Sequence, residues 1–183
     1  TPGGMAAILG LDIPTLDSIC TQASTPEEPV QVANDNCPGQ VVISGARPAL
    51  ERALEAARAA GARRAVALAV SIPAHSVLMI SAQESFSQAV EQTPIRPAST
   101  PIIGNVSAAP MQTVAEIKSD LKAQLTSRVR WTESVQWMAA QGVDTFLEIG
   151  SGNVLGGLIR RIDKQLTSLS LGAPADFEQL AGG

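Results

Sequence analysis

Residues 5–70 set the tightest limit on what this chain can fold into. Short apolar runs alternate there with stretches of helical spacing, and proline, glycine or asparagine separates them. Met5 to Leu11 reads as a strand, and Pro14 opens a helix through about Ala23, proline being well suited to a first helical turn. Val30 to Ala33 is the next strand, the polar run Asn34 to Gly39 a turn, and Gln40 to Ser44 a third strand. Pro48 to Ala60 is an alanine-rich helix with Leu50 and Leu54 on one face; Gly61 stops it, and Arg64 to Val70 returns as a strand. The order β-α-β-β-α-β is the split pattern of a ferredoxin-like domain.

Beyond residue 70 the units lengthen. Ser76 to Gln92 reads as a helix and Pro101 to Asn105 as a short strand. Val114, Ile117, Leu121 and Leu125 share a face, which predicts an amphipathic helix over Thr113 to Gln124. Trp131, Val135 and Met138 mark another helix, ended by Gly142. Thr145 to Ile149 follows as a buried strand, Asn153 to Arg161 as a helix, and Leu166 to Leu171 as a last strand before a short C-terminal helix. Alternating strand and helix favours a parallel sheet, here with too few strands to be complete on both sides. The expectation is an α/β chain with one small domain over residues 1–70 and a second over 71–183.

Composition narrows the function classes. Aromatic residues make up 3% of the chain and tyrosine is absent, so a hydrophobic content of 45% must build its core from Ala, Val, Leu and Ile. A net charge of −4 argues against a nucleic-acid partner. Apolar runs such as Ala65 to Val70 are too short to span a bilayer. Cys20 and Cys37, seventeen positions apart, form neither a zinc nor a redox spacing. No metal is expected, and a reducing, cytoplasmic setting is, with no secretory leader visible ahead of the first element.

The only histidine, His75, stands in Val70-Ser71-Ile72-Pro73-Ala74-His75-Ser76, where a strand gives way to a helix. Imidazole is the one side chain that ordinarily titrates near neutrality, and strand ends in α/β sheets are where ligand crevices form. Pro73 pushes Ile72 into an extended conformation, so the ring projects at the junction. Two readings fit: a general base, or a polar loop residue bonded to a carbonyl. A base needs a nucleophile, and no Gly-x-Ser-x-Gly window occurs in the sequence. Ser71 and Ser76 are too near His75 to face it across a crevice. Cys37 is either a thiol nucleophile or, as cysteines more often are, a buried residue.

Three further stretches carry two readings each. Glu148-Ile149-Gly150-Ser151-Gly152-Asn153-Val154-Leu155-Gly156 loosely matches a dinucleotide loop, but its third glycine is one position late and the usual acidic residue after the next strand is missing. Glycines that let the helix pack closely on the sheet explain it better. Asn34 to Gln40 is either a plain turn or a pair of amides lining a groove for an extended polar ligand. Arg63 and Arg64, like Arg160, Arg161 and Lys164, are solvated surface or a means of steering an acidic partner.

Taken in order, these segments resemble the malonyl-CoA:acyl-carrier-protein transacylase family. The resemblance runs from Met5-Ala6-Ala7-Ile8-Leu9-Gly10 through Asn34-x-Asn36-x-Pro38-Gly39-Gln40-Val41-Val42-Ile43-Ser44-Gly45 and Ser71-Ile72-Pro73-Ala74-His75-Ser76. It continues in Val135-x-Trp137-Met138-Ala139-Ala140-Gln141-Gly142 and Glu148-x-Gly150-x-Gly152-x-Val154-Leu155. It implies a large α/β-hydrolase-like subdomain, of which this chain carries the C-terminal part, preceded here by the small ferredoxin-like insert, with the active site between them. By the same resemblance His75 is the catalytic histidine and Gln124 the residue whose main-chain carbonyl holds the imidazole. Asn34 and Asn36 face the cleft, and Val70 and Val154 line it. The implied reaction moves a malonyl group from malonyl-CoA to the phosphopantetheine thiol of acyl carrier protein in fatty acid synthesis, with no further cofactor.

The family's glycine-glutamine oxyanion motif, its Gly-His-Ser-x-Gly elbow and its carboxylate-pairing arginine have no counterpart in these 183 residues. The expectation is an inactive isolated chain that binds a complementary N-terminal fragment. Ala74 also departs from the bulkier residue or serine found before the histidine in many relatives, which alters pocket volume. The alternative from another class is a non-catalytic ferredoxin-like module that binds acyl carrier protein or CoA.

Overall fold

Apolar residues on the helix-facing side of three strands assemble the first sheet. The computed structural model describes residues 3–178. Strand β1 (Gly3–Leu9), helix α1 (Ile13–Ala23), strands β2 (Val30–Cys37) and β3 (Gln40–Ala46), helix α2 (Arg47–Ala59) and strand β4 (Arg64–Ala67) follow in the expected order. The four strands lie in the order β2-β3-β1-β4 and every neighbouring pair is antiparallel, the ferredoxin-like arrangement. Ala6 and Ile8, Val30 and Val32, and Val41 and Ile43 bury against Leu16 and Ile19 of α1 and Leu50 and Leu54 of α2. Small alanines at 46, 49, 53 and 57 let α2 sit close to the strands. Asp12 caps α1 by accepting from the Thr15 amide at 3.0 Å.

Two expectations in this region are corrected. The run Asn34 to Cys37 is strand, and only Pro38 and Gly39 turn, with Gly39 at φ +73°. Turn propensity is outweighed because β2 gains partners on both edges. Inside, it pairs with β3 through two irregularities that leave Ala33 and Asn36 without opposite residues. Outside, the Asp35 amide donates to the Val129 carbonyl (2.9 Å) and the Val129 amide to the Ala33 carbonyl (2.8 Å). Strand β4 is shorter than expected and ends at Ala67, so Val70 lies beyond it. The chain there runs back along β1, and Pro73 closes so tightly on Gly3 that a Cβ at Gly3 would stand 2.6 Å from its ring.

A single 3-10 turn (Val77–Met79) leads into α3 (Ile80–Gln92). The strand expected over 101–105 contracts to β5 (Ile102–Ile103), paired with β6 (Pro110–Met111). The intervening loop is held instead by side chains: Asp120 accepts from the Val106 and Ser107 amides at 3.2 and 2.9 Å, and Arg130 donates to their carbonyls. A capping box between Thr113 and Glu116 starts α4 (Val114–Ala123), and α5 (Trp131–Ala140) follows.

The chain divides into two compact units, residues 1–134 and 135–183. In the second, β7 (Thr145–Ile149) and β8 (Thr167–Leu171) pair in parallel and α6 (Val154–Ile162) crosses between them. Strand β7 was expected to be buried and is not: Ile149 is 71% exposed, because among the described residues β7 pairs only with β8. Where a C-terminal helix was expected, the described residues show a 3-10 turn, Pro174–Phe177; the rest of that expectation falls on residues 179–183, outside the described residues.

Candidate active site

His75 adopts φ +57°, the left-handed region that a residue with a Cβ enters at a cost of about 1–2 kcal/mol. Non-glycine residues persist there only where their surroundings dictate it. The Ser76 hydroxyl donates to the Pro73 carbonyl at 2.7 Å, and the Met79 amide donates to the Ser76 carbonyl at 2.9 Å, so the turn is tied on both sides. Ser76 is thereby buried and engaged, which removes it as a nucleophile.

The imidazole Nδ1 lies 2.8 Å from the main-chain carbonyl oxygen of Gln124. A carbonyl only accepts, so Nδ1 carries the proton and Nε2 of the neutral ring keeps its lone pair. The sequence places that carbonyl well. Gln124 is the C-cap of α4, where the last carbonyls have no partner in the helix and the helix dipole is negative. A half-buried imidazole held in this way presents Nε2 as a proton acceptor.

Gln31 joins the two loops that meet here. Its Nε2 donates to the His75 carbonyl and to the Thr126 carbonyl, each at 3.1 Å, and its Oε1 accepts from the Val77 amide at 3.0 Å. Sequence reasoning missed this residue. The signal was its polar side chain between the buried Val30 and Val32, which assigns it to the face away from the helices; its partners, 44 and 95 positions away, leave no local trace.

Asn34 shares that face. Gln31 stands opposite Ser44 and Asn34 opposite Val42, two positions along the same strand, so the irregularity at Ala33 restores Asn34 to the side of Gln31. Asn36 is half-buried and is itself an unpaired residue of the second irregularity. Between them Asp35 is buried, with its carboxylate accepting from the Thr132 hydroxyl at 2.7 Å. Burial pushes the Asp35 carboxyl up from its ordinary range, and the Thr132 bond opposes this only in part.

The remaining candidates have the following surroundings. Val70 is 47% exposed and lines a cavity of about 260 Å³ with Leu50, Leu54 and Leu68, against α2. Val154 is exposed at the first position of α6, in the second unit. Arg63 and Arg64 are exposed beside Leu9, whereas Pro73 sits on Gly3; the length of β1, roughly 20 Å at about 3.3 Å per residue, separates them. Cys37 is fully buried, and Cys20 is buried, with its thiol pushed up to about 12 by that burial. Among the described residues no group of His, Cys, Asp and Glu is arranged to hold a metal ion.

The glycine-rich turn of the second unit is closed to phosphate. Glu148 accepts from the Leu155 and Gly156 amides at 3.0 and 2.9 Å, occupying the donors an anion would need at the start of α6. Those bonds hold its carboxyl below the usual range. A Cβ at Gly156 would come within 2.7 Å of the Ser168 hydroxyl, so this glycine serves close packing of α6 on β8.

Comparison with known proteins matches the description "Acyl transferase domain" over residues 1–169. The chain belongs to the acyl transferase domain family. Among the relatives of this acyl transferase chain, a malonyl CoA-acyl carrier protein transacylase of Bacillus subtilis is 43% identical over 96% of the chain and 56% of its own length. Its counterpart in Staphylococcus aureus is 43% identical over 91% and 55%. An acyl carrier protein S-malonyltransferase of Vibrio cholerae superposes with a TM-score of 0.94 at 39% identity, covering 97% of the chain and 58% of that structure. A malonyl-transacylase solved with its type II PKS acyl-carrier protein superposes at 0.93 with 39% identity, over 97% and 57%. The chain thus spans little more than half the length of these relatives. No helix among the described residues is long and apolar enough to cross a membrane.

Proposed function

We propose that this acyl transferase chain carries the histidine half of a malonyl-CoA:acyl-carrier-protein transacylase. The observation that supports it is the His75 Nδ1 to Gln124 carbonyl bond at 2.8 Å, which leaves Nε2 free to move a proton. The names of the relatives supply the substrates. In the first half-reaction a serine hydroxyl attacks the malonyl thioester; Nε2 of His75 takes its proton and returns it to the departing CoA thiolate. In the second, Nε2 deprotonates the phosphopantetheine thiol of acyl carrier protein, which displaces serine from the malonyl ester, and the proton goes back to the serine oxygen. The malonyl group is conserved and no cofactor enters.

The serine, in this reading, lies outside the 183 residues, on a Gly-His-Ser-x-Gly elbow, and the isolated chain is inactive until a complementary N-terminal segment is present. Residues 1–70 form the small subdomain and residues 71–183 belong to the large one. Asn34 and Asn36 hydrogen-bond the substrate, Val70 and Val154 contribute apolar lining, and Arg63 and Arg64 attract the acidic carrier from the far end of β1. A cytoplasmic location follows from substrates of this kind.

Transfer of malonyl from malonyl-CoA to holo acyl carrier protein tests the proposal in the enzyme completed to the length of its relatives. His75→Ala should lower turnover by at least ~10³-fold. Turnover near wild type in that variant would remove His75 as the base. Incubating the 183-residue chain alone with malonyl-CoA should leave its intact mass unchanged, and a stable malonyl adduct would show that it holds its own nucleophile.

A further inference from the structure

We propose that Gln31 is a positioning residue for His75, setting both the backbone under the ring and the loop that presents the Gln124 carbonyl. Three bonds carry this. One hydrogen of the Nε2 amide goes to the carbonyl of His75 itself, the residue held at φ +57°. The other goes to Thr126, two residues past the carbonyl that receives Nδ1. The Oε1 atom accepts from Val77, two residues past His75 on the other side of the turn. Both amide hydrogens are therefore used, one on each loop, and the side chain is anchored in the strand that carries Asn34.

The consequence is geometric. The His75 loop and the end of α4 are 49 positions apart in sequence and meet through one 2.8 Å bond. A single imidazole hydrogen bond at a half-buried site does not fix ring orientation by itself. Gln31 ties both ends of that bond to the same rigid strand, so the ring and its acceptor move as one body. Misplacement of a catalytic group by about 1 Å costs on the order of 100-fold in rate, so this positioning is large enough to measure.

Two variants separate the role from bulk. Gln31→Leu keeps a side chain of similar bulk and removes all three bonds. Gln31→Glu keeps the acceptor for Val77 and sets a carboxylate against two carbonyls. Because His75 is the only histidine, its ring nitrogens report without ambiguity in a long-range proton–nitrogen spectrum of the full chain. At a pH where the ring is neutral, wild type should show one tautomer with Nδ1 protonated, and both variants a mixture. In the completed enzyme kcat should fall roughly 10- to 100-fold while KM for malonyl-CoA changes less than about threefold.

Ser44→Ala is the control, since Ser44 stands opposite Gln31 on the same face. It should leave tautomer and kcat at wild-type values. Variants of Gln31 with one clean tautomer and wild-type kcat would overturn the proposal, as would a Ser44→Ala chain that behaves like Gln31→Leu. The inference rests on His75 as the base, and the arms keep the two apart. A mixed tautomer in Gln31→Leu together with full transfer by His75→Ala would sink the base and leave the positioning intact.

Discussion

The four-stranded sheet and the β7–α6–β8 unit use the same apolar residue types and bury them to very different degrees. Ile8 and Ile43 in the first are fully covered by α1 and α2. In the second, Ile149 and Val154 are about 70% exposed and Leu147 is 43% exposed. The four-stranded sheet closes its own core with α1 and α2, whereas, among the described residues, a parallel pair with one crossover helix leaves an edge and a face uncovered. The lesson concerns self-sufficiency: residue type and periodicity name the element, and only the number of layers packed on it decides whether it is buried.

That contrast can be broken by substitution. Ile43→Ala should cost about 3–4 kcal/mol in chemical denaturation, since a fully buried side chain is lost from a tight core. Gly156→Ala should cost about 1–3 kcal/mol, read by hydrogen exchange of the β8 amides, because the new Cβ meets the Ser168 hydroxyl. Asp35→Asn tests electrostatics in the closed unit. A raised folded-state pKa means no penalty while the carboxyl is protonated, and loss of stability as pH rises from the ordinary carboxylate range through the raised value. The melting temperature of Asp35→Asn relative to wild type should therefore rise as pH climbs through that range; a flat difference would mean that burial costs Asp35 nothing. Ile149→Ser should change stability by less than about 0.5 kcal/mol and reduce self-association in light scattering. A loss comparable to that of Ile43→Ala would erase the distinction between the units.

What could be read from sequence divides along the same physical line. The order β-α-β-β-α-β was legible because period-2 and period-3.6 runs were cleanly stopped by Pro14, Pro38-Gly39 and Gly61. The asparagine run was misread because turn propensity is local, while the partner that keeps Asn34 to Cys37 extended is Val129, far along the chain. The exposure of β7 depends on how many strands flank it, which its own five residues do not encode. His75 stood out as a lone imidazole at a strand end, but local pattern could not decide its role. Its pairing with Gln124 came from family resemblance, and the geometry of α4 supplies the reason: a helix end offers a carbonyl with no other partner. Gln31 left no signal beyond its polarity.

The direct test of the site is the location of one proton. In a long-range proton–nitrogen spectrum of the chain, recorded where the His75 ring is neutral, Nδ1 should be protonated and Nε2 bare, in a single tautomer. A ring protonated at Nε2, or one averaging between the two forms, would contradict the hold of the Gln124 carbonyl on His75 and, with it, a base poised for acyl transfer.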